Sequence, residues 1–246
     1  MAQYKKVDFH IHTPQSRCYA DYVMRDANLC TSPQEIVEAA LVVGLDAIAI
    51  VDHNTAEGID DIREVAKKNG LCIFPGMELT ARGGHVLSLF EPDTPVQTLR
   101  QLLERLGFTG EQWGDGYFQT EYWMDGVFQE VEECGGLAIA AHIDRQPRGF
   151  IASSESKEDK IRIHSSDYLS ALEITVPLDK PRWSQGKVPY FPKKYACIQG
   201  SDAHAVDEIG RRVTYISVPS LDLDGLRLAF SEYEYRIRFP HELAEE

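Results

Sequence analysis

The chain contains eight histidines, and five of them fall where an apolar run ends. His10 and His12 close the segment Asp8-Phe9-His10-Ile11-His12. Residues two apart on a strand point to the same face, so both imidazoles point one way. Asp52-His53 follows the run Leu45–Val51, and Glu78 stands four residues beyond Leu71–Phe74. His142 follows Leu137–Ala141, and Asp202 and His204 follow Tyr195–Gln199 in Gly200-Ser201-Asp202-Ala203-His204. His85 opens its own segment and joins the others only if that strand runs antiparallel. Imidazoles and carboxylates gathered on one face are metal ligands before they are anything else. Their number exceeds the needs of one ion and suits two or three divalent ions, with Zn, Mn and Fe equally compatible. Such a cluster polarises a phosphoryl or carbonyl oxygen and makes hydroxide from water near neutral pH. Singly, each residue has a plainer reading: a packed histidine, or a helix N-cap for Asp52 or Asp202. Coincidence at five segment ends is what the plainer reading does not explain. His164, in a polar stretch, and His241, in the tail, keep it. Glu173, in Leu172-Glu173-Ile174, is either a carboxylate that orients a ligand or a satisfied polar residue of a strand.

The elements that must position these groups alternate between strand and helix. Lys6–His12 reads as a strand. Ser32-Pro33-Gln34-Glu35 is a capping box with proline at the first helical position, and Gly44 ends that helix. Leu45–Val51 is apolar except for Asp46, as in a strand covered on both faces. A helix from Ile59 to Lys68, strands at Leu71–Phe74 and His85–Phe90, and helices at Pro95–Leu106 and Trp123–Glu133 follow. Strands at Leu137–Ala141, Leu169–Val176, Tyr195–Gln199 and Val213–Val218 precede a last helix, Leu221–Glu232. Repeated β and α units of this kind predict a parallel sheet, and in a parallel barrel the strand ends share the face where an active site is built. Residues 107–122, 143–167 and 177–194 read as loops or lids over that face.

At 246 residues the chain fits one domain, and 43% apolar and 26% charged residues are ordinary for a globular protein. No run approaches the roughly 20 apolar residues of a membrane helix, and no apolar segment of a secretory signal is visible. Five cysteines without a CxxC pair argue against a disulfide scaffold and for a reducing, cytoplasmic setting. Lys and Arg number 25 against 39 Asp and Glu, a net charge of −14. That balance predicts no stable binding of duplex nucleic acid, and it leaves room for a small phosphorylated substrate as the partner, since metal ions can supply local positive charge.

The motifs Asp8-Phe9-His10-Ile11-His12-Thr13, Val51-Asp52-His53-Asn54, Gly76-Met77-Glu78, His85, Ala141-His142 and Gly200-Ser201-Asp202-Ala203-His204 run in the order of the PHP (polymerase and histidinol phosphatase) domain family, which the sequence resembles from residue 8 to residue 204. The resemblance implies a distorted (βα)7 TIM-like barrel, a trinuclear metal site and phosphoesterase activity on a small phosphorylated metabolite or nucleotide through a metal-bound hydroxide. Carried over by position, it places a first metal on His10, His12, Glu78 and Asp202. Glu78 bridges to a second on His85 and His142, and His53 and His204 hold a third. Glu78, Asp202, His204 and Asp52 would carry catalysis, Asp52 by buttressing the site.

One departure stands out. Relatives often carry a third-metal ligand five or six residues after HxH, where this chain has Arg17 and Cys18, with Asp21 a little further on. Cys18, as a thiolate, is the candidate there and Asp21 the alternative; the plainer reading makes Cys18 a small buried side chain, with the third metal absent or weak. Arg145, Arg148 and Arg17 are candidates to grip the substrate phosphate, since a guanidinium fork suits that group. The basic residues Lys180, Arg182, Lys187, Lys193 and Lys194 read as a solvated loop, with a gate for an anionic substrate as the alternative. Two other readings stay open. An amidohydrolase-like cluster would cut a C–N or C–O bond, but no strand-end lysine suitable for carbamylation is present. A non-catalytic metal-binding domain would have lost ligands, and this chain keeps nearly all.

Overall fold

Val7, Phe9 and Ile11 alternate with Asp8, His10 and His12, and both sets are buried. One face of this first strand therefore feeds the apolar core while the other carries polar groups into the interior. A computed structural model describes residues 4–19, 31–147 and 149–243. The strands are β1 (Lys5–Ile11), β2 (Ala47–Ile50), β3 (Cys72–Ala81), β4 (Gly84–Leu89), β5 (Leu137–Ala140), β6 (Leu169–Glu173), β7 (Ala196–Ile198), β8 (Thr214–Ile216) and β9 (Ile237–Arg238). They form one nine-stranded sheet in the order β7-β6-β5-β4-β3-β2-β1-β8-β9. The sheet curls until β7 and β9 approach each other, which makes it barrel-like. The α/β barrel class is as expected, although the strand count exceeds seven and the sheet is mixed.

Pairing directions decide where the donors go. β1, β2 and β3 run parallel, and so do β5, β6 and β7. β4 is antiparallel to both β3 and β5, so those six strands all point one way. The end of each of the six and the start of β4 therefore lie on one rim. His85, at the start of β4, joins the strand-end histidines as the sequence required.

The principal helices are α1 (Pro33–Val42), α2 (Ile59–Asn69), α3 (Val96–Arg105), α4 (Met124–Glu133), α5 (Lys157–His164), α6 (Lys180–Ser184) and α7 (Leu223–Ser231). The short helices α8 (Tyr233–Arg236) and α9 (Pro240–Leu243) flank β9. The Ser32 box forms as expected: Glu35 N donates to Ser32 Oγ, and Ser32 N donates to Glu35 Oε2 at 2.7 Å. α4 covers β4 and β5, while α1 packs on α2. Two segments expected to be irregular contain helices, α5 within 143–167 and α6 within 177–194. No helix among the described residues is long and apolar enough to cross a membrane.

Candidate metal centre

Glu78 sits inside β3 and is 1% exposed. Its two oxygens face two different sets of imidazoles. Oε1 lies 2.7 Å from His85 Nδ1 and 2.8 Å from His142 Nε2. Oε2 lies 3.1 Å from His53 Nδ1, 3.2 Å from His12 Nε2 and 3.3 Å from His10 Nε2. Asp202 Oδ1 closes the second set at 3.3 Å from His10 Nε2 and 3.2 Å from His12 Nε2. Burial alone would raise the Glu78 pKa, but His53, His85 and His10 hold it well below the usual carboxylate range. Asp202 is likewise held well down, with His10 and His12 overcoming the effect of burial.

Hydrogen bonds behind the donors fix how they present themselves. Ser16 Oγ donates to Asp52 Oδ1 at 2.6 Å and accepts from His53 N at 3.0 Å. With its proton committed, Ser16 Oγ accepts from His12 Nδ1 at 2.9 Å. Glu173 accepts from His10 Nδ1 at 3.0 Å and from His142 N at 2.7 Å. Both rings thus spend Nδ1–H outward and turn Nε2 inward, where the two Nε2 atoms stand 3.1 Å apart. Two lone pairs at that distance need a cation between or beside them. Against the pull of burial, the nearby carboxylates hold His10 well above its ordinary value and His12 up to about 9. A metal displaces such protons. His53 goes the other way, pushed well below its usual value by burial and by the neighbouring imidazoles.

The donor set fits divalent metal. His10, His12, Glu78 and Asp202 place four ligand atoms within 4.8 Å of one another, as do the trios His53, Glu78, His85 and His12, His53, His204. Glu78 Oε2, His53 Nδ1 and His142 Nδ1 are buried without a hydrogen-bond partner, which an unmetallated protein interior rarely tolerates. Three residues at the rim, Asn54 (φ 47°), His142 (φ 27°) and Asp202 (φ 53°), have left-handed backbone. Such strain costs about 1–3 kcal/mol each and gathers at functional sites.

The remaining sequence candidates divide. Asp52 is buried against Thr13 N, Thr13 Oγ1 and Ser16 Oγ. It holds the turn after β1 rather than facing the cluster. Glu173 is the orienting carboxylate of the two alternatives. Cys18 does not join the trio of His12, His53 and His204. Its Sγ meets His204 Nε2 at 3.0 Å, and burial with Glu78, Asp202 and Asp52 pushes the thiol up to about 12. Arg145 pairs with Asp202 at the edge of the cluster. Arg17 turns toward Asp115 and the Glu111 carbonyl. Arg148 and Asp21 lie outside the described residues. His164 is buried within α5 instead of lying in a polar loop, and Lys180 is buried against Glu242. Sequence reasoning passed over Ser16, which has no motif of its own, and Asp8, whose carboxylate accepts from Ser201 N at 2.8 Å and Gly210 N at 2.9 Å and so anchors the Asp202 loop.

Residues 8–173 match the PHP domain family. The chain belongs to that family, whose members are metal-dependent phosphoesterases. The match stops before Asp202 and His204, which the sheet brings to the PHP site. Over 138 residues the chain is 27% identical to an uncharacterized protein of Methanocaldococcus jannaschii, covering 56% of this chain and 67% of that one. Over 99 residues it is 33% identical to a 5'-3' exoribonuclease of Haemophilus influenzae, covering 38% of this chain and 32% of the other. Among solved structures, the lesion-specific endonuclease Q of Pyrococcus furiosus superposes with a TM-score of 0.69 at 17% identity, over 96% of this chain and 58% of that one. Endonuclease Q in complex with a 27-mer duplex carrying an abasic lesion gives 0.66 at 17% identity, over 92% and 56%. At that identity the likeness is one of fold. The PHP chain spans about a third of the exoribonuclease and little more than half of endonuclease Q.

These relatives overturn the expected partner. A small phosphorylated substrate with duplex nucleic acid excluded does not fit similarity to an exoribonuclease and to an endonuclease seen on duplex DNA. The net charge misled because it sums the whole surface, whereas metal ions and a few guanidinium groups set the potential where a phosphate lands.

Proposed function

We propose that this PHP chain is a metal-dependent phosphodiesterase that cuts nucleic-acid strands. The observation that carries the reading is the division of the buried Glu78 carboxylate between two sets of imidazoles, His85 and His142 on one oxygen and His10, His12 and His53 on the other. His10, His12, Asp202 and Glu78 would hold one divalent ion, and Glu78, His85 and His142 a second. His53 and His204 would hold a third, with Cys18 beside His204. When bound, the ions act as Lewis acids on phosphate oxygens and lower the pKa of water. Zn, Mn and Fe all suit this donor set.

The chain's own groups keep the site ready. Glu173 and Ser16 lock the His10 and His12 rings so that neither turns on substrate entry. Asp52 holds Ser16 and Thr13, fixing the turn that carries them. The Arg145 guanidinium, paired with Asp202 at the edge, exchanges part of that contact for a phosphate oxygen and so offsets charge as the P–O bond breaks. The test is elemental analysis of purified protein, followed by incubation with end-labelled single- and double-stranded DNA and RNA. At least two transition-metal ions per chain, with cleavage abolished by chelation and restored by Mn or Zn, are expected. Protein that carries its metals and releases phosphate from monoesters, yet leaves every strand intact, overturns the reading.

A further inference from the structure

Asp202 and His204 reach the cluster on one turn that leaves β7, and Asp202 holds a left-handed backbone there (φ 53°). Ala203, between them, pairs with β1: its N donates to His10 O at 3.3 Å, and its O accepts from His12 N at 3.0 Å. Those two bonds fix Ala203 and leave the peptide groups before it to be held by other means. Toward the interior, Asp8 accepts from Ser201 N at 2.8 Å, and Ser201 Oγ donates to His10 O at 3.1 Å. The carbonyls of Ser201 and Asp202 both go to Arg211. Its Nε donates to Ser201 O at 2.8 Å and its Nη2 to Asp202 O at 3.2 Å.

The third guanidinium nitrogen completes the arrangement. Nη1 pairs with Glu208, whose other oxygen accepts from His204 N at 2.8 Å. One Arg–Glu pair therefore touches the backbone of both ligand-bearing residues. A single planar fork reaches two successive carbonyls only while both lie on its side, and turning either peptide over takes its oxygen out of reach. Left-handed backbone is uncommon for a residue other than glycine and persists where the surroundings over-determine it. Asp202 is over-determined in this way, by Asp8 ahead of it, by the Ala203 pairing behind it and by Arg211 across both carbonyls. Arg145 differs in kind, since it meets the Asp202 carboxylate itself. All three nitrogens of Arg211 are engaged by residues 201–208, so its donors serve the turn that carries the ligands.

We propose that Arg211 is a positioning residue of the metal centre: with Glu208 as its partner, it clamps residues 201–204 so that the Asp202 carboxylate meets the ion shared with His10, His12 and Glu78. The assignment rests on the metal centre of the reading above and is independent of the substrate. Arg211 donates to backbone, so its loss moves a ligand without removing one. Groups that orient metal ligands in this way typically contribute about 10–100-fold in metal affinity.

The experiment strips the full chain of metal and titrates it with Zn(II) against a chromophoric chelator, so no strand has to be cut. Arg211→Ala weakens one ion by about 10–100-fold and moves the others far less. Asp202→Asn weakens the same ion, since asparagine keeps a tolerance for left-handed backbone but loses the charge. Adding Arg211→Ala to Asp202→Asn then brings no further loss, because the ligand that the clamp aims is already gone. A general structural role makes the two losses multiply in the double variant, and that result overturns the proposal. So does wild-type affinity for every ion in Arg211→Ala. Should Arg211→Ala fail to fold, Arg211→Lys takes its place in the same cycle. Its ammonium keeps the charge but lacks the fork, so the same ion is weakened, and wild-type affinity in that variant overturns the clamp equally. If wild type itself takes up fewer than two ions, the metal centre falls, and the clamp falls with it.

Discussion

Five imidazoles surround the Glu78 carboxylate, and its negative charge is what allows them to stand so close. Glutamine there keeps the size but removes the charge and one acceptor. We expect Glu78→Gln to lose at least one metal ion per chain by elemental analysis and about a hundredfold in turnover, with the far-ultraviolet circular dichroism retained. A second residue-scale consequence lies away from the site. His164 is buried among Trp183, Phe191 and Tyr195, with neither ring nitrogen hydrogen-bonded. Burial, with Lys193 adding to it, lowers its pKa from 6.5 to about 4. The unfolded chain therefore takes up the proton first. Stability from this residue is complete above pH 6.5, falls as the pH drops from 6.5 to 4, and is constant below that. The whole loss is about 3 kcal/mol. His164→Phe should be at least as stable as wild type at pH 8 and clearly more stable at pH 5 in urea denaturation. An equal midpoint shift at both pH values would show that His164 does not titrate in this way.

At the scale of elements, the loop 107–122 is built against the metal centre. A Cβ placed on Gly116 would lie 2.7–2.8 Å from three atoms of the His53 ring, closer than real contacts allow. Gly110 of the same loop has nothing within 4 Å of that position. Gly116→Ala should displace His53 and lower metal content by one ion, while Gly110→Ala leaves it unchanged. Equal metal content in the two variants would mean that the loop yields instead of the ring. The same scale shows what was legible in the sequence. β1 and its HxH were plain, because alternation and apolar flanks agree. β3 was cut short at Phe74, since Pro75-Gly76 reads as a break. In fact the strand runs on to Ala81, and Gly76 is needed because the β4 backbone comes so near that a Cβ would meet Ser88 O at 2.1 Å. α5 was missed under a polar composition, although Ser156 caps Asp159 N at 3.0 Å and the Ser-x-x-Asp pattern was there to be read. The histidines and Asp202 were legible because each stands at or just beyond a strand end, whereas Glu78 sits inside β3. Ser16 and Asp8 were not singled out, since their roles depend on the partners the fold supplies.

For the whole molecule, an excess of 14 negative charges must be reconciled with the polyanionic substrate proposed above. Attraction has to be local, from the ions and from Arg145 at the edge of the cluster. Few counterions are then released, so the plot of log affinity against log salt should have a slope smaller in magnitude than about 3. Arg145→Ala should lower that magnitude by about 1 with metal content unchanged. A steep slope of about 6 or more in wild type would place most phosphate contacts on other parts of the surface.

The cluster draws its ligands from positions 10 to 204, and β1 is clasped between β2 and β8. During synthesis, His10, His12, Glu78 and His85 leave the ribosome long before Asp202 and His204 do. An ion captured at that stage would be held by an incomplete set, with no last carboxylate to choose among metals by shape and charge. A complete ligand set therefore exists only once the long-range pairings of β1, with β8 among them, have formed.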